Sequence, residues 1–580
     1  MRRLLLIVAL LLAAAHLAAP GGAAPRELWP GVTFEPGVQL TQRGPVVINV
    51  LHGPRPGGLT TLEPVLSNDT IVGRETLTEM QRRLTPTAAT AGVNGDYFTF
   101  ETGRPSGVLL HQGRLVTPPN ADRASAGVTT DGRLDVRRAS FLGTWRGLGG
   151  IRIVRGLNAP PTTDGSAVYT DAYGPATPAL PGSVAVVLFP FPTATPEVDL
   201  AAPVVELRPG GGATPIPPGG AVLLARGQSA AALTAEGPVG TTITLRLSIR
   251  PTWPGVLSAF GGGPQLVRDG VALYRSGERF STSQLGPRAP RSAIGQLRDG
   301  RLVLVAVDGR QPGYSIGLTS YELAQALVRL GAVTAMGLDS GGSTTMAFEG
   351  TLLNRPSDGR ERAISTGVML LYRGVFASEP VGFVSPNGDG VAESPELAYR
   401  IVRPATVTVT LRAPDGTAPV STVTALGPGR YRLPFPPPSP VAVPPVPGRW
   451  ALEVSAVDEL GQPSAMTRSF VVDDTLGFLR VPKLRAVPPA GRAIAVTWRL
   501  ARAARTSVTV VDGEGVVVRR LLATTRLEAG ERRLVWDGLG AAKRQLAGSY
   551  AVRVVATSEV GRSELVAPIV LRKARARPRG

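Results

Sequence analysis

Asp339 stands where an apolar, strand-like run, Ala332 to Leu338, gives way to Ser340, Gly341, Gly342, Ser343, Thr344 and Thr345. Gly341 and Gly342 let the backbone turn sharply and bring its N–H groups close to a ligand, which bulkier residues would block. Successive N–H groups and hydroxyls can cradle an anion such as phosphate, and the carboxylate can act as base, nucleophile or hydroxyl acceptor. Standing alone, the segment would be better explained as a glycine-rich turn with a solvated aspartate.

Three other segments carry comparable chemistry. Asn94, Gly95, Asp96, Tyr97 and Phe98 place an amide, a carboxylate and two aromatic rings around a tight turn, a mixture suited to sugars; a hairpin turn with its aromatics in the core explains them too. Arg291, between Pro290 and Ser292 at the start of a strand, could clamp a phosphate oxygen, although the chain has many surface arginines. Asn354 to Arg362 is polar and rich in turn formers, as an ordinary loop would be.

The elements that must position these residues are legible in the same stretch. Arg301 to Val307 reads as a buried strand ending at the Asp308-Gly309 turn. Thr319 and Glu322 form a capping box for a helix with Leu323, Ala326, Leu327 and Leu330 on one face and a stop at Gly331. Asp308 and Glu322 are accounted for by that turn and that cap. Val46 to Leu51 opens a strand-rich region, and the proline, glycine and threonine of 176–220 read as a long surface connection. Helix packed on sheet, with Asp339 at a strand end, gives an α+β catalytic domain, a mixed sheet with packed helices, over 25–375.

With 580 residues the chain needs three or four domains. Arg2 and Arg3 precede the apolar run Leu4 to Ala19 and a small-residue stretch, the layout of a secretory signal peptide over 1–23 that is shorter than the roughly 30 Å hydrocarbon core. The mature chain is therefore expected to be soluble and exported: extracellular, periplasmic or at the cell surface. It contains no cysteine, which removes disulfides, thiol nucleophiles and Cys-ligated metals. Its histidines are His16, His52 and His111, too few and too scattered for a His-rich zinc site or a His-based triad, so no catalytic metal or cofactor is expected. The formal charge is +19, nearly all of the cations being arginine. Compositional bias explains this most simply; attraction to phosphate-bearing glycans is the functional reading, and nucleic acid is not an expected partner.

From about residue 380 the texture becomes short alternating strands, and a repeat appears. Leu397 to Val402 matches Val496 to Ala501, and Pro447 to Val454 matches Ala547 to Val554. The spacing of about 100 residues suits two all-β immunoglobulin-like (Ig-like) sandwiches, over 380–475 and 480–572, before a basic tail at 573–580 that is expected to be disordered. Asn387, Asp389 and Glu393 could hold a structural Ca²⁺ through oxygens, but the ligand set is incomplete and a plain turn is the simpler reading.

Taken together, Asn94 to Phe98, Pro290 to Gly295, Leu318 to Ala324, Leu338 to Thr345 and the Asn354–Arg362 loop resemble, in order and spacing, the phosphodiester glycosidase family across roughly residues 40–372. The family pattern has three glycines after the aspartate, and here Ser340 takes the first place. The resemblance implies hydrolysis of a sugar-1-phosphodiester, giving free sugar and a phosphomonoester, with cell-envelope or exopolysaccharide metabolism as the setting. It implies carboxylate roles for Asp339 and Asp96 and phosphate neutralisation by Arg291 and Arg362. Ser343, Thr344 and Asn94 would orient the ligand, within a binding loop of Gly95, Gly341, Gly342, Thr345 and Asn354. Asp512 to Gly515, Trp536 to Gly538 and Ala547 to Tyr550 resemble the Ig-like domain of flagellar hook-capping type, which implies spacing from, or attachment to, a cell surface. The alternative from another class is a non-catalytic cell-surface protein that binds or organises polysaccharide. A third is a transferase that needs an acceptor glycan.

Overall fold

Short apolar runs separated by glycine and proline become strands almost everywhere in this protein. The computed structural model describes residues 25–380, 383–438, 444–482, 494–541 and 546–571, so the expected signal peptide and basic tail lie outside the described residues. The chain divides into two units, residues 1–373 and 374–580.

In the first unit, Leu302–Val307 is buried along its whole length because it lies inside an eight-stranded sheet, between Gly44–Gly53 and Arg291–Leu297. Next to Arg291–Leu297 comes Ala332–Gly337, which delivers Asp339. Helix Ser320–Arg329 begins with the expected capping box, Thr319 Oγ1 accepting from the Glu322 N–H and the Glu322 carboxylate accepting from the Thr319 N–H. Its Leu323 and Leu327 pack into the core of this sheet with Val303, Val305 and Ala335. A five-stranded sheet contains Ala89–Asn94, which leads into Asp96, and a second five-stranded sheet contains Val256–Gly261 and Ala124–Thr129. Another eight-stranded sheet, built from residues 140–250, has its own core around Trp145, Leu223 and Leu245.

Two expectations fail here. The domain is not α+β with a mixed sheet and packed helices: strands make up 51% and helices 8% of the structure, so sheets carry the architecture. Among the described residues there are four α-helices, Leu77–Leu84, Gln228–Glu236, Thr282–Leu285 and Ser320–Arg329. Among the described residues of this unit, strand pairing is antiparallel except between Gly156–Leu157 and Ser166–Thr170. The helix before Ala332–Gly337 does cross between two strands of one sheet, Leu302–Val307 and Ala332–Gly337. The antiparallel Arg291–Leu297 lies between them, so a local strand–helix–strand crossover sits inside a sheet whose neighbouring strands pair antiparallel. The second failure is the 176–220 connection. It contains strands Ser183–Leu188 and Asp199–Arg208, whose Val186, Leu188 and Val204 are buried. The continuous apolar run of Ser183–Leu188 and the alternation in Asp199–Arg208 outweighed the prolines and glycines around them.

The second unit is all-β, and its repeat is structural. Leu397–Ile401 and Ile494–Leu500 are each the centre of a three-stranded sheet, and Gly448–Asp458 and Gly548–Thr557 occupy matching places in a larger one. In the later copy Trp498, Trp536, Val510 and Val554 from both sheets share one core. Among the described residues no helix is long and apolar enough to cross a membrane.

Candidate functional site

Asn94 holds the site together. Its Nδ2–H donates to the Asp339 carbonyl (2.8 Å), and its Oδ1 accepts from the Ser292 hydroxyl (2.6 Å) and the Thr345 N–H (3.1 Å). Three segments remote in sequence, ending at Asp96, starting at Arg291 and carrying Asp339, are thereby drawn to one point. The Asp339 N–H adds a bond to the Gly95 carbonyl (3.0 Å). A Cβ on Gly95 would lie 2.4 Å from Thr366 Oγ1, so only glycine fits there. Asn94 is fully buried with its amide committed, which makes it a staple rather than a ligand contact.

The two carboxylates meet unlike surroundings. Asp96 is buried between Gly107 and Gly261, where a Cβ on either glycine would come within 3.0 Å of its Oδ2. Oδ2 accepts from the Gly107 N–H (2.6 Å), whereas Oδ1 has no hydrogen-bond partner among the described residues. Burial pushes Asp96 up to about 7, against the pull of the Gly107 N–H and the Arg123 cation, and the neighbouring Asp339 adds to the rise. Asp339 keeps partial solvent access. Burial raises it only to about 6, because the Ser343 hydroxyl, the Ser340 N–H (2.8 Å), Arg362 and Arg123 favour its charged form. Of the two, Asp96 is the better place for a proton.

Ser340 has φ −126° and ψ −176°, extended backbone that any residue adopts, so the loop does not need the family's first glycine. Gly341, at φ +68°, does need to be glycine, and its open face lies about 3 Å from where the Arg310 guanidinium sits. Gly342 admits the Arg362–Asp358 ion pair (2.6 Å), for a Cβ there would overlap Arg362 Nη2. Arg362 also reaches Ser343 Oγ (3.4 Å). The Thr344 and Thr345 hydroxyls are buried and make no hydrogen bond among the described residues. Asn354 spends its side chain on the Met346 N–H, Asp308 and the Thr344 carbonyl, bracing the loop from behind. Asp308 is more than a turn residue: it also accepts from Asn49, Tyr314 and the Arg355 N–H.

Arg291 is not presented to a ligand. It is buried, and its five N–H groups go to the carbonyls of Leu318, Gln284, Leu285 and Pro287 and to Ser340 Oγ. Those contacts use all the donors a guanidinium has. The cation that faces the carboxylates is Arg123, which the sequence did not single out. Its guanidinium lies 4.8 Å from the ring centroids of both Tyr97 and Phe280 and favours ionisation of both Asp96 and Asp339. Phe280 was missed as well, and its ring occupies the space that a side chain at Gly263 would fill. The run Gly261-Gly262-Gly263 was the one local sign of such close approach.

At the segment that could hold Ca²⁺, Asp389 accepts from the N–H groups of Val391 and Phe478, and Glu393 from those of Gly388 and Gly390. Among the described residues no group of three or more His, Cys, Asp or Glu is placed to hold a metal.

The chain is 37% identical over 118 residues to the SPbeta prophage-derived protein YomE of Bacillus subtilis (strain 168), covering 20% of this chain and 18% of that protein. It is 44% identical over 68 residues to bovine N-acetylglucosamine-1-phosphodiester alpha-N-acetylglucosaminidase, covering 12% of each. It thus spans less than a fifth of the length of these curated relatives. A hypothetical protein from Synechocystis superposes with a TM-score of 0.52 at 26% identity, over 61% of this chain and 64% of that one. Residues 197–371, which contain Arg291, Asp339 and Arg362 but not Asp96 or Arg123, match the model of the phosphodiester glycosidase family.

Proposed function

We propose that this protein hydrolyses a sugar-1-phosphodiester, of the kind formed by N-acetylglucosamine-1-phosphate on a glycan, to free sugar and a phosphomonoester. The observation that carries the reading is the convergence of Asp96 and Asp339, tied together through the Asn94 side chain and the Asp339 N–H bond to the Gly95 carbonyl, beside the Arg123 cation; burial raises both carboxyls, Asp96 the further. A phosphate monoester leaves readily, so the reaction needs charge stabilisation and an activated nucleophile more than strong acid help. In this scheme ionised Asp339 faces the anomeric centre as base or nucleophile. Protonated Asp96 directs its unpartnered oxygen at a sugar hydroxyl or at the bridging oxygen, and at the bridging oxygen it can pass on its proton as the ester bond breaks. Arg123 and Arg362 neutralise the phosphate, with Gly341 leaving room for Arg310 beside them. Arg291 is a positioning residue. Export, a role in envelope or exopolysaccharide metabolism and a spacing function for the Ig-like repeats belong to the same proposal; the signal-peptide pattern and the strand repeat support them.

The test is direct. Purified full chain incubated with UDP-N-acetylglucosamine or the methyl ester of N-acetylglucosamine-1-phosphate should release N-acetylglucosamine, with UDP or methyl phosphate respectively, without any acceptor glycan. Ligand binding with no sugar released across a range of sugar-1-phosphodiesters would instead make it a binding protein. Arg123→Ala should lower kcat/KM by about 10²-fold through loss of the phosphate-facing cation. Arg123→Lys should recover only part of that, because an ammonium cannot lie flat on both rings. Unchanged kcat/KM in folded Arg123→Ala would remove Arg123 from the site.

A further inference from the structure

Tyr274, Phe280, Leu285 and Tyr321 are among the residues that line a cavity of about 720 Å³, within the roughly 300–1,000 Å³ typical of small-ligand sites. Two tyrosines dominate its wall. Tyr274 and Tyr321 meet edge to face with centroids 5.3 Å apart, and Tyr274 is 71% exposed. A ring as open as that of Tyr274 contributes little to the core and offers apolar surface to solvent, with the Arg275 guanidinium 5.8 Å from its centroid. Ser276, Thr282 and Gln325 bring hydroxyl and amide groups to the same wall.

The cavity is joined to the site by two residues. Phe280 lines it and also stands 5.6 Å from Tyr97 and against Arg123. Arg291 grips the carbonyls of Gln284, Leu285 and Pro287 while reaching Ser340, the neighbour of Asp339. Glu278 fixes the segment between the tyrosine and the phenylalanine by accepting from the N–H groups of Ala124, next to Arg123, and of Gln265. Cavity wall and carboxylate loop are therefore held in one register.

Resting on the hydrolase reading, we infer that this cavity is a carbohydrate subsite that takes the sugar units carried on the far side of the phosphodiester. The substrate is then a phosphodiester on an extended glycan rather than a small ester. Sugars suit the cavity because their C–H faces stack on tyrosine rings while their hydroxyls need the polar groups set around those rings.

Two probes separate the subsite from the chemistry: the methyl ester of N-acetylglucosamine-1-phosphate, and the same phosphate esterified to the 6-hydroxyl of maltotetraose. In the full chain, Tyr274→Ala with Tyr321→Ala should raise KM for the tetrasaccharide ester about tenfold or more with kcat kept, and change KM for the methyl ester by less than about twofold. Equal changes for both esters, or none for either, would overturn the subsite. Binding of free maltotetraose and of linear β-linked oligosaccharides to the Asp339→Asn chain, followed by saturation-transfer NMR, gives a readout independent of turnover. Tyrosine-dependent binding with no cleavage of either ester by the wild-type chain would reject the hydrolase reading and keep the sugar site. Cleavage of the methyl ester with no oligosaccharide bound would do the reverse.

Discussion

Asp339→Asn should reduce kcat on a sugar-1-phosphodiester by about 10³-fold or more while the protein stays folded. The substitution keeps the shape of the loop. Asn Oδ1 can still accept from the Ser340 N–H, and Nδ2 can donate to Ser343 Oγ where the carboxylate had accepted. The backbone bonds to Gly95 and to the Asn94 side chain do not involve the replaced atoms. What is lost is the negative charge, and with it the base or nucleophile. The charge also sets one limb of the pH profile. With Asp339 titrating at about 6, wild-type kcat/KM should fall as pH drops below that value, where the carboxylate takes up a proton. Stopped assays for free sugar between pH 4 and 9, with circular dichroism on the same samples, check both points. Wild-type turnover in folded Asp339→Asn would show that another group does the chemistry.

Signals lying within one short window could be read from the sequence. The Thr319–Glu322 capping box, the buried run Leu302–Val307 and the alternation in Leu397–Ile401 depend on residues close in sequence, and each became the expected element. Fold class could not be read this way, because whether Ala332–Gly337 joins a parallel or an antiparallel sheet is decided by Arg291–Leu297, a strand on its far side in sequence order. The site divides along the same line. Asp96 and Asp339 were found because glycines beside a carboxylate are a local mark. Arg123 was not, since its partners Tyr97 and Phe280 lie on different elements and its own surroundings, Asp122 and Ala124, are featureless.

Arg291 illustrates a different limit. An arginine at a strand start was a reasonable phosphate clamp, but a sequence does not say whether five N–H groups will meet a ligand or the chain's own carbonyls. Here they meet carbonyls. Burial without a carboxylate partner lowers its pKa, a cost tolerated because those carbonyls replace the lost hydration. The residue thus fixes the loop that borders Asp339 instead of binding substrate, and substitution there should disturb geometry on both sides at once.

Asp96→Asn should abolish most activity yet make the first unit more stable above neutral pH. A carboxyl with an ordinary value of 3.8 is carried to about 7 by burial, so between those values the folded state binds more protons than the unfolded chain. The stability tied to that proton is fully present below about pH 3.8 and is lost as pH rises through 7, where the carboxylate ionises inside the protein. A rise of roughly three pH units at about 1.4 kcal/mol each puts the loss on the order of 4 kcal/mol. Asparagine mimics the protonated acid: Oδ1 can accept from the Gly107 N–H, and the amide is neutral at every pH. Wild type and variant should therefore melt together near pH 4, and the variant should melt higher at pH 8. Activity moves the other way, by about 10²-fold or more, because an amide can hydrogen-bond but cannot pass on a proton. The wild-type decline above about pH 7 should have no counterpart in the residual activity of the variant. Thermal melts across that pH range, paired with the sugar-release assay, measure both consequences. A variant that melts at the wild-type temperature at pH 8 would mean that Asp96 carries no buried proton. Retention of the alkaline limb would assign that limb to another group. Both results as expected would mean that the protein holds a destabilising carboxyl in its core because the reaction needs its proton.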